Sequence, residues 1–216
     1  MYNNRYSKMN KVYVLAVTRD VPAEDYRLYL DPMKTRRYGK LLKRALATAL
    51  KCMHESGVSH PDAIINGTAL GSWDDSEHML RGLATEGEQV SMPTHFMLCT
   101  HNSVASMIGI YTHTQGYNST YSHGAVSFEC ALMDAYLQLR SGRAQTALVC
   151  ANDELTPELQ QHLTRLGVNG WVAADRSLSV MLSAAPGAHP LYELAGVRIT
   201  HTKGKADSAR VIYKKL

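Results

Sequence analysis

The sequence lacks the features that would assign it to several protein classes. It has only four cysteines in 216 residues and no Cys-x-x-Cys pair, which excludes a disulfide scaffold and a zinc ribbon. Its longest clean apolar run, Val12–Val17, is far shorter than the roughly 20 residues of a membrane span. The first ten residues are polar, so they do not resemble a secretory signal. The net charge of +4 is too small to argue for nucleic-acid binding.

The composition, with 45% hydrophobic and 19% charged residues, is typical of a globular protein. The length of the chain favours one compact domain. Cys52, Cys130 and Cys150 lie in apolar segments, which predicts buried, reduced thiols in a cytoplasmic protein. Gly67 and Gly71 are not followed by a Gly-Lys-Ser/Thr sequence, so we expect a turn there and no cofactor.

Predicted strands and helices alternate along the chain. The expected strands are Lys11–Val17, Ala63–Leu70, Tyr117–Ser122, Ala147–Ala151, Leu178–Ala184 and Leu191–Thr200. The expected helices cover residues 39–57, 75–85, 100–114 and 127–141, and a further helix opens at Thr156 and Pro157. This alternation predicts an α/β fold built from βαβ units around a mostly parallel sheet with helices on both faces.

The most informative segment runs from Gly116 to Glu154 and predicts a strand, a tight turn and a long helix. Such an elbow exposes the residues at its tip and points a helix N-terminus at whatever binds there. The candidate residues at the tip are Ser122, His123, Gly124, Ala125 and Ser127.

Ser127 has two interpretations. It is a nucleophile with His123 as its base, or it is the N-cap of the helix. We favour the cap, because serine is common at that position and the sequence contains no Gly-x-Ser-x-Gly motif.

From about Lys11 to His201, the order of segments resembles the thiolase-fold β-ketoacyl synthases, especially shorter ketosynthase-like and chain-length-factor-like proteins. Arg140–Ala144, leading into Ala147–Ala151, resembles the family's helix end and following strand. Gly67–Gly71 resembles the turn after its second strand, and Asn102–Ser106 resembles the helix before its elbow. Arg36 and Arg37 resemble the basic segment that opens its first long helix.

The resemblance implies the N-terminal half of a thiolase fold, with a layered mixed sheet and helices on both faces. We therefore expect a flexible leader over residues 1–10, a ketosynthase-like domain over residues 11–201 and a basic tail over residues 202–216.

Two departures from the family bear on activity. Counting back 17 positions from Gly142, to where ketosynthases hold the reactive cysteine, lands on Ala125, and Cys130 lies five residues further on inside the helix. The family's catalytic histidines come from the second half of the fold. Because condensation needs a thiolate and donors for the enolate, we expect the isolated chain not to condense acyl groups.

The resemblance then implies a non-catalytic, chain-length-factor-like subunit of fatty-acid, polyketide or aryl-polyene-type biosynthesis, paired with a full ketosynthase. A homodimer and a partner chain that supplies the missing half are further alternatives. An active acyltransferase or hydrolase using Ser127 with His123 is the rival function. Ketosynthases pair through the strand before the elbow, so the expected interface residues are Asn118, Ser119, Thr120 and Tyr121, then Ser103, Ala105, Ser106 and Gly109.

Basic residues cluster near the start of the first long helix: Arg36, Arg37, Lys40, Lys43 and Arg44. Positive charge in the first turn of a helix is disfavoured by the helix dipole, so a negative partner would relieve it. The resemblance implies an acidic acyl carrier protein, and the alternatives are a plain solvated surface or internal ion pairing.

Metal binding is not expected. The nearest metal-like spacing is His95-x3-Cys99, and ten histidines in the chain make chance clustering easy.

Overall fold

A computed structural model describes residues 9–87, 92–168 and 175–216. Most of the predicted flexible leader, residues 1–8, lies outside the described residues. The strands are β1 (Tyr13–Arg19), β2 (Ala63–Gly67), β3 (Tyr117–Tyr121), β4 (Thr146–Asp153), β5 (Arg176–Ser183), β6 (Tyr192–Thr200) and β7 (Ser208–Lys214). The helices are α1 (Pro32–Thr35), α2 (Lys40–Ser56), α3 (Trp73–Glu86), α4 (Pro93–Leu98), α5 (Ser103–Thr112), α6 (Ser127–Arg140) and α7 (Pro157–Arg165).

The seven strands form one mixed sheet in the order β3-β2-β4-β5-β1-β6-β7. Strand β2 is parallel to both β3 and β4, whereas β5 runs antiparallel to β4 and β1. The expectation of a mostly parallel sheet was therefore wrong, and the mixed sheet implied by the family resemblance is confirmed. Alternation of strands and helices along the sequence does not determine whether two neighbouring strands are parallel or antiparallel. Here helix α7 lies between β4 and β5 in the sequence, and yet these two strands pair antiparallel.

Helices cover the two faces of the sheet, as predicted. Side chains in β2 alternate between the faces, so that Ile64 packs with α2 and α5, whereas Ala63 and Ile65 pack with α6. On the first face Leu46 and Ile108 are fully buried, and on the second face Leu132 and Leu139 are buried to the same extent. These two apolar layers hold the carboxyl ends of β2, β3 and β4 at one edge of the fold.

The C-terminal segment differs from the predicted basic tail. Residues 208–214 form β7, which pairs antiparallel with β6 at seven positions. The resulting hairpin joins β1 at only two positions but packs over α6, where Tyr136 Oη donates to the Ala195 carbonyl at 2.9 Å. Leu194 of β6 is 1% exposed and belongs to the apolar cluster around α6. The hairpin thus completes the apolar layer around α6.

Gly67 ends β2 directly beneath the first turn of α6. A Cβ atom added to Gly67 would lie 2.5 Å from the Ser127 carbonyl oxygen and 2.6 Å from the Phe128 nitrogen. Both obstacles are backbone atoms of one helix, which cannot move aside as a flexible side chain can. The glycine therefore sets how closely the strand approaches the helix that follows the elbow.

We predict that Gly67→Ala lowers the free energy of unfolding by about 1–3 kcal/mol, because the added methyl group forces β2 and α6 apart. The matched control is Gly39→Ala, since a Cβ at Gly39 meets nothing within 4 Å and its φ is −63°. The control is expected to cost less than about 1 kcal/mol. Urea unfolding of the two variants measures the difference, and equal losses would contradict this account of Gly67.

Candidate functional site

The predicted elbow is present at the end of β3. The chain leaves Tyr121, passes His123, forms a short 3-10 turn over Gly124–Val126 and enters α6. Gly124 has φ 52°, in the left-handed region that glycine adopts at little cost. Ala125, the position reached by counting back 17 residues from Gly142, is exposed and offers only a methyl group.

Ser127 and His123 do not form a nucleophile–base pair. The Ser127 hydroxyl donates to the Gly124 carbonyl at 2.7 Å and accepts from the His123 backbone nitrogen at 2.8 Å. The serine is 4% exposed, and it is the first residue of α6 rather than its cap, which is Val126. Its hydroxyl therefore closes the turn locally, a structural role different from both interpretations of the sequence.

The imidazole of His123 points instead to Asp207. Its Nε2 lies 2.7 Å from one carboxylate oxygen of Asp207, and His201 Nδ1 lies 2.6 Å from the other. Hydrogen bonds from the two histidines lower the pKa of the Asp207 carboxyl. The bridge ties the connection between β6 and β7 to the tip of the elbow. Sequence reasoning missed it because residues 202–216 were expected to be a tail.

No thiol near the elbow is activated. Burial is the main cause that raises the pKa of Cys130, and Glu129 and Asp207 add to it. Burial also raises the pKa of Cys52 and of Cys150 to about 12. Cys52 and Cys150 are fully buried as predicted, whereas Cys130 is only partly so. Because the thiolate is the nucleophile, none of these three groups is primed to hold an acyl chain at neutral pH.

The two predicted interface segments meet in one groove. A cavity of about 760 Å³ lies between α5 and β3, and its lining includes Ser106, Gly109, Asn118, Ser119 and Thr120. The groove also brings in residues that the sequence did not single out: Asn102, Ile110, His113, Thr114 and Gln115.

Ser103 and Ala105 face inward and do not line the groove. Ser103 Oγ donates to the Leu98 carbonyl at 3.0 Å, and the Ala105 carbonyl accepts from Asn118 Nδ2 at 2.9 Å. Tyr121 also faces away from the groove, beside Asp134 of α6, and burial is the main cause that raises its pKa to about 12. Small residues therefore lie on both faces of α5: Ser106 and Gly109 line the groove, whereas Ser103 and Ala105 pack inward.

Strand β3 is the open edge of the sheet. The Tyr117 nitrogen donates to the Asp62 carbonyl, and the Tyr121 carbonyl accepts from the Thr68 nitrogen, so these residues direct their backbone groups toward β2. By alternation, Asn118 and Thr120 direct theirs outward. The strand contains no charge and no proline, whereas the opposite edge, β7, carries basic residues. An unblocked edge is a template for a second strand.

Apolar side chains extend this surface beyond the groove. Phe96 and Met97 of α4 and Ile110 of α5 each expose more than half of their area, at 62%, 67% and 65%. Helix α4 contacts α5, and Ile110 also lines the groove, whereas Phe96 and Met97 do not. Exposed apolar residues on adjacent helices are typical of contact surfaces.

Comparisons with known proteins identify the family and the fold. The profile of the family described as "Beta-ketoacyl synthase, N-terminal domain" matches residues 14–210. The chain belongs to this family. A comparison with curated proteins finds no match.

Solved structures of ketosynthases share the fold of this ketosynthase-like chain. One similar structure is a complex of a type II polyketide synthase acyl-carrier protein with its ketosynthase bound to the hexaketide. The matched chain has 15% sequence identity to this one and a TM-score of 0.74, and the alignment covers 88% of this chain and 68% of that chain. A β-ketoacyl synthase from Burkholderia phymatum has 12% sequence identity and a TM-score of 0.71, and the alignment covers 91% of this chain and 66% of that chain. A third structure is a ketosynthase in complex with its chain length factor from Xenorhabdus doucetiae. It has 17% sequence identity and a TM-score of 0.63, and the alignment covers 88% of this chain and 82% of that chain. These likenesses establish a thiolase-like fold.

The basic segment of the ketosynthase-like chain divides into inward and outward groups. Arg44 is 6% exposed, donates to the Asp153 carbonyl at 2.8 Å and pairs with Asp175 at 2.7 Å. Lys40 also pairs with Asp175, so the charge at the start of α2 has an internal partner. Arg44 therefore does not belong to a docking surface, in line with the alternative of internal ion pairing. Arg36 and Arg37 are exposed, and Lys43 is half-buried.

Partial burial acts to raise the pKa of the Asp175 carboxyl, but hydrogen bonds from Arg44 and Lys40 outweigh it and lower the pKa below its ordinary value of 3.8. A carboxyl with a lowered pKa stabilises the fold above its unfolded pKa. That stabilisation is lost as the pH falls through the folded pKa, so its titration lies below about pH 4.

We predict that Arg44→Met lowers the free energy of unfolding at pH 7 by about 2–3 kcal/mol, because it removes the charged donor to the Asp153 carbonyl and one of the two cationic partners of Asp175, leaving Lys40 as the other. The matched control, Arg37→Met on the surface, is expected to change it by less than about 0.5 kcal/mol. Urea unfolding measures both. The loss in Arg44→Met should shrink below pH 4, and a loss independent of pH would contradict the role given to Asp175.

The described residues contain no candidate for a bound metal. Among residues 9–87, 92–168 and 175–216, no group of three or more His, Cys, Asp and Glu side chains is placed to hold an ion. His95 Nδ1 lies 2.7 Å from Asp75, while Cys99 Sγ donates to the Phe96 carbonyl, so the spaced pair does not converge. Within the same residues, no helix is both long and apolar enough to cross a membrane.

Proposed function

We propose that this ketosynthase-like chain is a non-catalytic, chain-length-factor-like subunit of fatty-acid, polyketide or aryl-polyene-type biosynthesis, located in the cytoplasm. It pairs with a complete ketosynthase along β3 and α5 and forms part of the wall of the acyl tunnel. The observation that carries the proposal is an elbow with a methyl group at Ala125, beside a sheet edge on which no other strand of the described residues pairs.

The elbow is unsuited to condensation in three respects. Ala125 cannot form a thioester, the Ser127 hydroxyl is held in local hydrogen bonds, and the imidazole of His123 bonds to Asp207. Decarboxylative condensation needs an activated nucleophile to hold the acyl chain and donors to stabilise the enolate. A partner that supplies both would perform the chemistry, and this chain would shape the space beside it.

The proposed pairing follows from the edge strand and its surroundings. Asn118 and Thr120 offer outward backbone groups, and strand addition satisfies such groups by hydrogen bonds that do not depend on sequence. The apolar side chains of Phe96, Met97 and Ile110 add area that leaves water on association. The solved complex of a ketosynthase with its chain length factor from Xenorhabdus doucetiae supports a partner of this class.

The exposed basic residues support docking of an acyl carrier protein, which is acidic. Arg27, Arg36 and Lys43 line a pocket of about 200 Å³ between the 3-10 turn over Ala23–Leu28 and α2. Arg37 lies on the same exposed segment, and Lys40 contributes although it is already paired with Asp175. The solved polyketide synthase complex of a carrier protein with its ketosynthase is consistent with such a contact.

We predict that Thr120→Pro abolishes a complex with the ketosynthase encoded nearest to this chain. Proline removes one outward N–H from the edge and leaves the bonds from β3 to β2 intact. The matched control is Thr120→Val, which keeps the N–H and a branched side chain. Co-expression, affinity capture and light scattering of the eluted species should give a heterodimer for wild type and Thr120→Val, with at least about tenfold less for Thr120→Pro.

Three results would contradict the proposal in whole or in part. A 23.9 kDa monomer with no affinity for any ketosynthase would remove the partner. A stable homodimer that ignores ketosynthases would replace the heterodimer by self-association through the same edge. Equal capture of Thr120→Pro and Thr120→Val would leave the partner in place but move the interface away from β3.

A further inference from the structure

We propose that the β6–β7 hairpin binds a phosphate group through Arg198 and Arg210 on its outer face, the face turned away from α6. The two residues lie directly opposite each other in the register of the hairpin, and both are exposed. The ketosynthase is proposed to pair at β3, whereas β7 forms the other edge of the sheet, so this site does not depend on the proposed function.

The alternation of side chains along the two strands defines the outer face. Val197 and Val211 pack against the apolar cluster around α6, so the residues next to them point to the other side. Among the described residues, the apolar cluster on the side of α2 and α5 includes no residue of β6 or β7. The outer face therefore presents to solvent two opposed pairs of hydrogen-bonding side chains, Arg198 with Arg210 and Thr200 with Ser208.

The two opposed arginines repel each other unless an anion lies between them. In an antiparallel pair the Cβ atoms of directly opposite residues are about 4.5–5.5 Å apart, and like charges at this spacing are destabilising. A neighbouring carboxylate would relieve the repulsion, but residues 190–216 contain only two acidic side chains, Glu193 and Asp207. The location of these two carboxylates therefore decides whether the arginines are neutralised within the hairpin.

Both carboxylates are engaged elsewhere. Glu193 pairs with two lysines, Lys11 at 2.9 Å and Lys214 at 4.0 Å. Asp207 is bonded to the two histidines of the bridge at the elbow. In the part of the chain that the structure describes, no carboxylate lies at ion-pair distance from either arginine. The repulsion is not relieved by these residues, and an anion from solution would relieve it.

The donors on the outer face suit a phosphate better than a carboxylate. Each guanidinium presents several N–H donors in a planar fork, and the hydroxyls of Thr200 and Ser208 add donors beside them. A carboxylate offers two acceptor oxygens, whereas a phosphate monoester offers three and carries close to two negative charges. Two forks on opposite strands can therefore bond to different oxygens of one phosphate group, each in the bidentate geometry that arginine favours.

Protection of the sheet edge is an alternative role for the two arginines. Charged side chains on an edge strand discourage pairing with another chain, and β7 is an edge strand. This role needs the charges but no ligand, so it predicts that phosphate has no specific effect on the hairpin. The two roles are therefore separated by a titration with phosphate.

The test is an NMR titration of the full chain with inorganic phosphate, at an ionic strength held constant with sodium chloride. The Nε–Hε signals of Arg198 and Arg210 should shift together and saturate. Arg210→Gln should weaken the binding measured at Arg198 about three- to fivefold, because one charge-assisted contact is lost. Lys203→Gln is the matched control, since it removes one positive charge from the exposed β6–β7 connection, and it should leave the affinity within about twofold.

Thermal unfolding without phosphate measures the repulsion. Arg198→Gln and Arg210→Gln should each unfold about 1–3 °C above wild type, because removal of one charge relieves the repulsion between the strands. The control Lys203→Gln should unfold within about 1 °C of wild type, because its side chain is exposed outside the two strands. The same measurement shows that the variants fold.

Three results would overturn the inference. Arginine signals that do not respond to phosphate, beside a stabilised Arg210→Gln, would leave edge protection as the role. Equal affinity at Arg198 in wild type and Arg210→Gln would show that the two side chains do not share one phosphate. Equal affinity for malonate, a dicarboxylate of nearly the same charge, would overturn the assignment to phosphate.

Sedimentation with vesicles identifies the source of the phosphate group. The vesicles consist of phosphatidylcholine with or without phosphatidic acid, whose headgroup is a phosphate monoester. Co-sedimentation that requires phosphatidic acid and is reduced in Arg210→Gln supports a lipid headgroup. No co-sedimentation, beside an intact titration with inorganic phosphate, supports a free phosphorylated ligand.

Discussion

An unblocked sheet edge is the constraint from which the interpretation of this molecule follows. Strand β3 ends the seven-stranded sheet with outward backbone groups at Asn118 and Thr120, and it has neither charge nor proline to repel another strand. The same strand leads into the elbow, so the edge and Ala125 lie within a few residues of each other. In the proposed function, the methyl group of Ala125 cannot hold an acyl chain, and the edge of β3 pairs with the partner.

Much of the fold could be predicted from local patterns. Helix α6 and strand β4 follow from apolar spacing, and the helix ends near the glycine expected to stop it. The direction of β5 and the formation of β7 could not be predicted, because both depend on pairing partners distant in sequence. The short hydrophobic alternation in β7 is masked by its basic residues, which made a tail the simpler interpretation.

The site was predicted in part, for reasons that can be read from individual residues. A run of small residues in α5 marks close packing but does not say which face packs outward. Ser106 and Gly109 lie on the groove side with Asn102 and Ile110, at helical spacing, whereas Ala105 faces the core. The role of the Ser127 side chain is set by two short hydrogen bonds within the turn. The hydrogen bond between His123 and Asp207 joins residues that are 84 positions apart in the sequence. Neither relation leaves a local trace in the sequence.

The measurement that tests the central claim most directly is amide hydrogen exchange on β3 with and without the ketosynthase. The claim is that the outward groups of β3 pair with the partner. The account predicts that the amides of Asn118 and Thr120 exchange quickly in the isolated chain and become strongly protected in the complex, while Ser119 is protected in both. Unchanged exchange at Asn118 and Thr120 in a fully formed complex would contradict it.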